Sequence, residues 1–155
     1  MSSRILLVSI NTCSTPDPVF PLGLAQLAAA LRMAGHEVRW HDVQVSGASI
    51  EEVLSDFRPH FTGISLRNID DVLIRKQETY FDGVNALCAR IRRVAGCPVI
   101  LGGSGFSIFP RELYEFSGAD YGICGAGDRS LVALILALEG RRDLSAIPGL
   151  VWRQN

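Results

Sequence analysis

The chain has 155 residues, enough for one hydrophobic core, and 48% of them are apolar. Its 15 basic and 16 acidic residues nearly balance, and no basic stretch is interleaved with aromatic residues, so binding to nucleic-acid phosphates has no electrostatic support. The apolar runs are too short to span a membrane and no cleavable leader is evident, which predicts a single cytoplasmic domain over residues 1–155.

Short apolar runs alternate with helical patterns along the chain. This order predicts a parallel β-sheet covered by helices on both faces. The five predicted strands are Ile5–Ser9, Glu37–Val43, Phe61–Ser65, Val99–Gly102 and Tyr121–Cys124. The tail "IPGLVWRQN" is compatible with a small added strand.

Each predicted helix follows a strand. The first carries an apolar stripe and stops at Gly35. The second begins with Ser49 and Glu52, a capping box, and ends before Pro59. Three more are predicted near residues 81–94, 111–116 and 129–138. The polar passage "RNIDDVLIRKQETYFD" after the third strand is longer than an ordinary connection, which favours a binding loop.

In such sheets, ligands bind beyond the carboxyl ends of the strands. Glycine and small polar residues collect there, especially in "GSGFSIFP" after the fourth strand and "GAGDRS" after the fifth. The amides of "GAGDRS" could hold a polar ligand group. A tight turn capped by Asp128 explains the same residues equally well. Neither the dinucleotide fingerprint nor the phosphate-loop motif is present.

Histidine and cysteine patterns do not indicate a metal site. His36 and His60 precede strands, at the edge opposite the expected crevice, and His41 lies within a strand. The four cysteines form no C-x-x-C pair. Cys88 and Cys97 are predicted to be small buried hydrophobic residues, whereas Cys13 lies in a loop where it could meet a ligand.

Taken together, "ILLVSINTCSTPDPVFPLGLAQLAAALRMAGHEVRWHDV", "GISLRNIDD", "VILGGSGFSIFPRELYEFSGADYGICGAGDRSLVALILALEG" and "IPGLVWR" cover almost the whole chain. In order and spacing they resemble the N-terminal cobalamin-binding domain of B12-dependent radical SAM enzymes. The resemblance implies a flavodoxin-like (Rossmann-like), doubly wound α/β fold with five parallel strands and helices on both faces.

The general cobalamin-binding signature has D-x-H-x-x-G after the first strand, S-x-L after the third and G-G after the fourth. The G-G stands here as Gly102-Gly103, and Ser65 begins the segment that replaces S-x-L. The first element and its histidine are missing. The resemblance therefore implies a base-off cobalamin without a histidine beneath the cobalt, whose nucleotide tail passes beside Gly102 and Gly103. Its affinity would come from burial of the tail and from hydrogen bonds by Ser65, Ser104 and backbone amides.

On this reading the candidate cofactor-binding residues occupy the loops at the carboxyl edge. They are Asn11, Thr12, Cys13, Ser65, Leu66, Arg67, Asn68, Gly102, Gly103, Ser104, Gly105, Gly125 and Gly127. No residue of the chain is expected to be catalytic or to ligate a metal.

The C-x-x-x-C-x-x-C motif of a radical SAM domain is absent, so that chemistry cannot occur on this chain alone. The resemblance implies an excised N-terminal fragment. The longer parent would carry a C-terminal radical SAM domain with a 4Fe-4S cluster and S-adenosylmethionine, and would act as a methyltransferase or a cyclase. Two alternatives stay open: an interaction module of the same fold that has lost its ligand, and a flavin-binding, flavodoxin-like electron carrier.

Overall fold

The computed structural model describes residues 2–10, 20–67, 77–140 and 143–153. Its strands are β1 (Arg4–Ser9), β2 (Glu37–Asp42), β3 (Phe61–Ser65), β4 (Val99–Gly102), β5 (Tyr121–Ile123) and β6 (Leu150–Val151). Its helices are α1 (Leu22–Met33), α2 (Ile50–Phe57), α3 (Gln77–Ala95), α4 (Pro110–Ser117) and α5 (Gly127–Gly140).

The strands form one sheet in the order β2-β1-β3-β4-β5-β6. The first five strands are parallel, and β6 runs antiparallel to β5. From β1 the chain adds β2 on one side of the sheet, and from β3 it adds the later strands on the other side. Strand order therefore reverses between β1 and β3. The doubly wound α/β fold is therefore confirmed, with six strands in place of the predicted five.

The sixth strand forms because the tail returns against the end of β5. Gly149 has a φ of +70° and approaches Cys124 so closely that a Cβ built on it would overlap the Cys124 carbonyl oxygen. The Cys124 amide donates a hydrogen bond of 2.8 Å to the Gly149 carbonyl. Glycine permits both the φ angle and the approach.

Strand side chains alternate between two apolar clusters, one on each face of the sheet. Helices α2, α3 and α4 cover one face, which we call the closed face; its cluster includes Leu6, Val8, Ile64, Leu66, Leu101 and Phe106. Helices α1 and α5 cover the other face, which we call the cleft face; its cluster includes Ile5, Leu7, Phe61, Ile100, Leu131 and Leu134.

The helices agree with the sequence patterns except at α3, which begins at Gln77, inside the passage predicted as a binding loop. Helix α2 begins with the predicted capping box, in which the Glu52 amide donates to Ser49 Oγ and the Ser49 amide donates to the Glu52 carboxylate. Asp128 was considered as a cap in front of the last helix, but it lies inside the first turn of α5. Among the described residues, no helix is long and apolar enough to cross a membrane.

Candidate cofactor-binding site

A cleft opens on the cleft face at the carboxyl ends of the strands. It encloses about 1110 Å³, and pockets for small ligands commonly measure roughly 300–1,000 Å³. Its base is formed by β1, β3 and β4, one wall by α1, and the other by the segment that joins β5 to α5. The cleft thus lies where strand order reverses, as expected for a ligand site in an open α/β sheet.

A row of small residues creates this space. Ser9 of β1 pairs with Ser65 of β3, and Ser65 pairs with Gly102 of β4, so the three lie side by side across the sheet. All three line the cleft. Each lies an even number of residues from a member of the cleft-face cluster on the same strand, so all three face the same side of the sheet as that cluster. With no bulky side chain in this row, α1 and α5 do not close over the upper part of the sheet.

Two serines connect the loops at the mouth of the cleft. Ser104 Oγ donates a hydrogen bond of 3.0 Å to the carbonyl of Arg67, which joins the β4–α4 loop to the segment after β3. Ser107 Oγ donates to the Gly103 carbonyl at 3.0 Å and accepts from the Gly125 amide at 2.8 Å. The second pair joins the β4–α4 loop to the segment after β5, so three adjacent loops are bonded to one another.

The adjacent glycines Gly102 and Gly103 serve different purposes. Gly103 has a φ of +104°, and a Cβ there would overlap the Leu66 carbonyl oxygen and lie 2.9 Å from the Leu66 amide nitrogen. The fold itself therefore requires glycine at this position. Gly102 has no positive φ, and its Cβ would lie 3.5 Å from the nearest atom, the Ile123 carbonyl oxygen. The backbone does not require glycine at residue 102, so the absence of a side chain there is explained by the space that it leaves in the cleft.

The structure brings most of the predicted site residues together. Seven of them line the cleft: Ser65, Arg67, Gly102, Gly103, Ser104, Gly125 and Gly127. Leu66 and Gly105 do not. The Leu66 side chain is fully buried in the closed-face cluster, and the Gly105 amide donates to the Leu66 carbonyl. Asn11, Thr12, Cys13 and Asn68 lie outside the described residues, as does much of the long loop after β3.

Sequence reasoning missed several lining residues. Ser9 was assigned only as the end of a strand, although it lies two residues after Leu7 and therefore faces the same side of the sheet. Leu24 and Leu27 of α1 belonged to the predicted apolar stripe, which was assigned to the core alone. Ser107 left no local signal, because its partner Gly125 lies on another segment of the chain.

Other reactive side chains lie away from the cleft. Cys88 and Cys97 are buried in the closed-face cluster, as predicted. Burial raises the pKa of the Cys88 thiol to about 11 and also raises that of Cys97. None of the three histidines is among the lining residues in the described part of the chain. Across that same part, no group of His, Cys, Asp or Glu side chains is arranged to hold a metal ion.

Comparisons with known proteins agree with this placement. The model of the B12 binding domain family matches residues 8–135. The tryptophan 2-C-methyltransferase of Streptomyces laurentii is 34% identical over 148 residues, which are 92% of this chain and 25% of that protein. The hopanoid C-3 methylase of Methylococcus capsulatus is 28% identical over 151 residues, covering 90% of this chain and 28% of that protein.

A solved structure shows the same architecture. The radical S-adenosylmethionine methyltransferase TsrM from Kitasatospora setae, whose structure contains cobalamin and a 4Fe-4S cluster, superposes with a TM-score of 0.84 at 32% identity. The match covers 100% of this chain and 30% of that one, so the chain spans less than a third of these relatives. The family match includes the end of β1, the row of small residues and most of α5, and the chain belongs to the B12-binding domain family.

Proposed function

We propose that this chain binds cobalamin base-off, with the nucleotide tail in the cleft and no histidine beneath the cobalt. The observation that carries the proposal is the cleft above Ser9, Ser65 and Gly102. On the closed face, the described residues at the same height, Val8, Leu66 and Phe106, are instead large and fully buried. A tail that enters a preformed slot buries apolar surface without reorganising the core.

The residues around the cleft suit such a cofactor. Ser65 and Ser104 offer hydroxyl groups at the upper end, close to the strand termini. Arg67 is exposed at the mouth, where its guanidinium group can donate to amide oxygens or to a phosphate. No histidine lines the described part of the cleft, which supports binding without the histidine ligand of the general signature.

The chain's role would be to hold and orient the cofactor for a catalytic domain. Cobalamin supplies a cobalt ion that can carry a methyl group, while the protein supplies binding and orientation. Both curated relatives are named for methylation at carbon, which favours methyl transfer over a cyclase-type reaction. The partner domain would hold the iron–sulfur cluster and S-adenosylmethionine. A C-x-x-x-C-x-x-C motif encoded after residue 155 would support this part of the proposal, and its absence would contradict it.

The binding proposal is tested with hydroxocobalamin. The purified chain is mixed with the cofactor and passed through gel filtration, and the retained visible absorbance gives the stoichiometry. We expect about one cofactor per chain in a preformed site. Retention of FMN in place of cobalamin would instead support the flavin-carrier reading, and retention of neither would support the ligand-free module.

Gly102→Val tests the location. The valine Cβ would lie 3.5 Å from its nearest neighbour, an ordinary contact distance, and its side chain would occupy part of the cleft. We expect roughly tenfold or greater weakening of the dissociation constant with an unchanged circular dichroism spectrum. Gly47→Val is the matched control, because nothing lies within 4 Å of a Cβ there and Gly47 is outside the cleft. Equal binding by Gly102→Val and the wild type would refute the assignment.

The axial arrangement is tested by electron paramagnetic resonance of the bound cofactor after one-electron reduction. A nitrogen ligand beneath the cobalt splits the cobalt signal further, whereas a base-off form without histidine does not show that splitting. Nitrogen splitting in the complex would contradict this part of the proposal.

A further inference from the structure

We propose that the outward side of helices α1 and α5 is a self-association surface, on which a second copy of this chain docks with its α1 helix antiparallel to the first. We call it the α1–α5 surface. It consists of Leu22, Gln26, Ala29 and Met33 of α1 and Val132, Ala133 and Leu136 of α5. The inference goes beyond the proposed function and does not depend on the cofactor.

The α1–α5 surface faces solvent but is largely apolar. On α1, Leu22 and Met33 are 62% and 90% exposed, and Gln26 and Ala29 between them are exposed as well. Helix α5, which packs beside α1, adds Leu136, which is 44% exposed. A helix at a protein surface ordinarily turns charged and polar side chains to solvent. Exposed apolar patches instead mark sites of contact with another molecule.

The helices over the closed face show the ordinary pattern. Their exposed residues include Asp56 on α2, Arg90 and Arg93 on α3, and Glu112 on α4. Arg90 also forms an ion pair of 2.6 Å with Glu51, which joins α3 to α2. The same chain therefore presents one charged helical layer and one that is nearly uncharged, and the second layer is the candidate for docking.

The distribution of charge favours a second copy over a charged partner. The seven residues that define the surface carry no charge. Asp128 and Arg129, which have opposite signs, lie at one end of the surface, in the first turn of α5. Two identical surfaces can therefore meet without bringing like charges together or burying an unpaired charge, as a two-fold contact requires. A strongly charged partner would gain no ion pair from those seven residues.

The order of side chains along α1 suits an antiparallel pair. Leu22, Gln26, Ala29 and Met33 are separated by four, three and four residues, the spacing of a seam that packs against another helix. A two-fold axis that passes between Gln26 and Ala29 makes the two α1 helices antiparallel. Leu22 of one copy then lies opposite Met33 of the second copy, and the long Gln26 lies opposite the small Ala29. Antiparallel helices also bring opposite ends of their dipoles together.

The size of the surface sets the strength of the contact. Helices α1 and α5 have 12 and 14 residues, so they are about 18 and 21 Å long. Side by side at a separation of about 10 Å, they form a face of about 400 Å². Each partner in a stable complex buries about 800 Å². A contact of half that size is transient, and we expect a dissociation constant on the order of 100 μM.

The experiment measures the average mass of the chain by analytical ultracentrifugation from about 5 to about 500 μM, which brackets the expected dissociation constant. The chain is kept free of cofactor, because the lining of the cleft includes the four α1 residues of the surface. We expect the mass to rise from monomer toward dimer. A monomer at every concentration overturns the inference. Growth beyond the dimer also overturns it, because a two-fold contact closes after two copies.

Ala29→Glu tests the location of the contact. The new carboxylate lies beside the two-fold axis, where it loses water without gaining a partner, and we expect association to weaken at least tenfold. Ala89→Glu is the matched control, since Ala89 is an exposed alanine on α3, in the opposite helical layer. Glutamate favours a helix, so both variants should keep the circular dichroism spectrum of the wild type. Equal dissociation constants for the two variants would overturn the inference.

Two further variants test the antiparallel arrangement. Leu22→Lys and Met33→Glu each place one charge in the surface, and each alone should associate at least tenfold more weakly than the wild type. In an equimolar mixture, the new lysine of one variant lies opposite the new glutamate of the other. We expect the mixture to associate about threefold or more tightly than either variant alone, since the two charges are then paired. Failure of the mixture to recover association would overturn the inference.

Discussion

The two faces of the sheet are built from the same strands but differ, among the described residues, in the size of the side chains at the carboxyl ends of those strands. On the closed face, Val8, Leu66 and Phe106 fill the space at the carboxyl ends of the strands and are fully buried. On the cleft face, the residues at the same height include Ser9 and Ser65. The cleft is therefore encoded in the alternation of each strand, with large residues at one parity and small residues at the other.

The comparison also separates residues that are adjacent in the chain. Ser65 and Leu66 follow one another, yet one lines the cleft and the other fills the opposite core. Gly102 and Gly103 differ in the same way, since Gly102 has room for a Cβ beside the cleft whereas Gly103 packs its backbone against Leu66. Each of the following experiments changes one side of this division and measures whether the other side responds.

The largest effect is expected at Gly103. Gly103→Ala combines a strained φ with an overlap against the Leu66 backbone that no side-chain movement can relieve. We expect the free energy of unfolding to fall by about 4 kcal/mol, as the sum of these two costs. Gly102→Ala is the control and should change it by about 1 kcal/mol or less. Urea denaturation measures both, and equal losses would contradict the division between the two glycines.

The next largest effect is expected at Leu66. Leu66→Ala removes a fully buried side chain from the closed-face cluster and should lower the free energy of unfolding by about 3 kcal/mol. Because that side chain does not line the cleft, the dissociation constant for cobalamin should stay within about threefold of the wild-type value. Isothermal titration at a temperature where the variant is folded measures it. A loss of affinity beyond that range would place Leu66 in the cofactor site.

A smaller effect is expected at Ser107. Ser107→Ala removes the hydrogen bond from the Gly125 amide, which joins the loops after β4 and β5, and the bond to Gly103 within the first of these loops. The two losses should cost about 1–2 kcal/mol of stability. Ser104→Ala removes one exposed bond to Arg67 and should cost about 0.5–1 kcal/mol. Thermal denaturation should rank the two variants in that order. The reverse order would show that the Ser107 bonds do not carry the connection between the loops.

The smallest effect concerns pH. Burial lowers the pKa of His41 below its ordinary value of 6.5, and Asp42 partly offsets this. The unfolded chain therefore takes up the proton first, so the contribution of His41 is complete above pH 6.5 and is lost as the pH falls through the folded pKa. Urea denaturation above and below pH 6.5 should show a smaller decline in His41→Gln than in the wild type. Identical declines would rule out His41 as the source.

Much of the architecture could be predicted because its signals are local. The capping box at Ser49 and the glycine that follows α1 are readable within a few residues, and both occur as predicted. The direction of β6 was not readable, because it depends on contact between Gly149 and Cys124. Contacts between residues far apart in the chain, such as this one, leave no local pattern in the sequence.

The candidate site was predicted unevenly for the same reason. Ser65 and Gly102 were predicted as site residues because they end apolar strands at the edge where ligands bind, and both line the cleft. Gly103 was chosen for the cofactor, although its φ and its approach to Leu66 already account for it. Ser107 was missed because a hydroxyl that bridges two loops looks like any other serine in the sequence.

The serine bridges at the mouth of the cleft have a dynamic consequence. Because Ser104 and Ser107 bond three loops to one another, those loops should open together, and the amides of Gly105 and Gly125 should exchange with deuterium at similar rates. Loops that are already ordered lose little conformational entropy when a cofactor binds. The association rate of a corrinoid would then be limited by diffusion to the cleft and not by ordering of the loops around it.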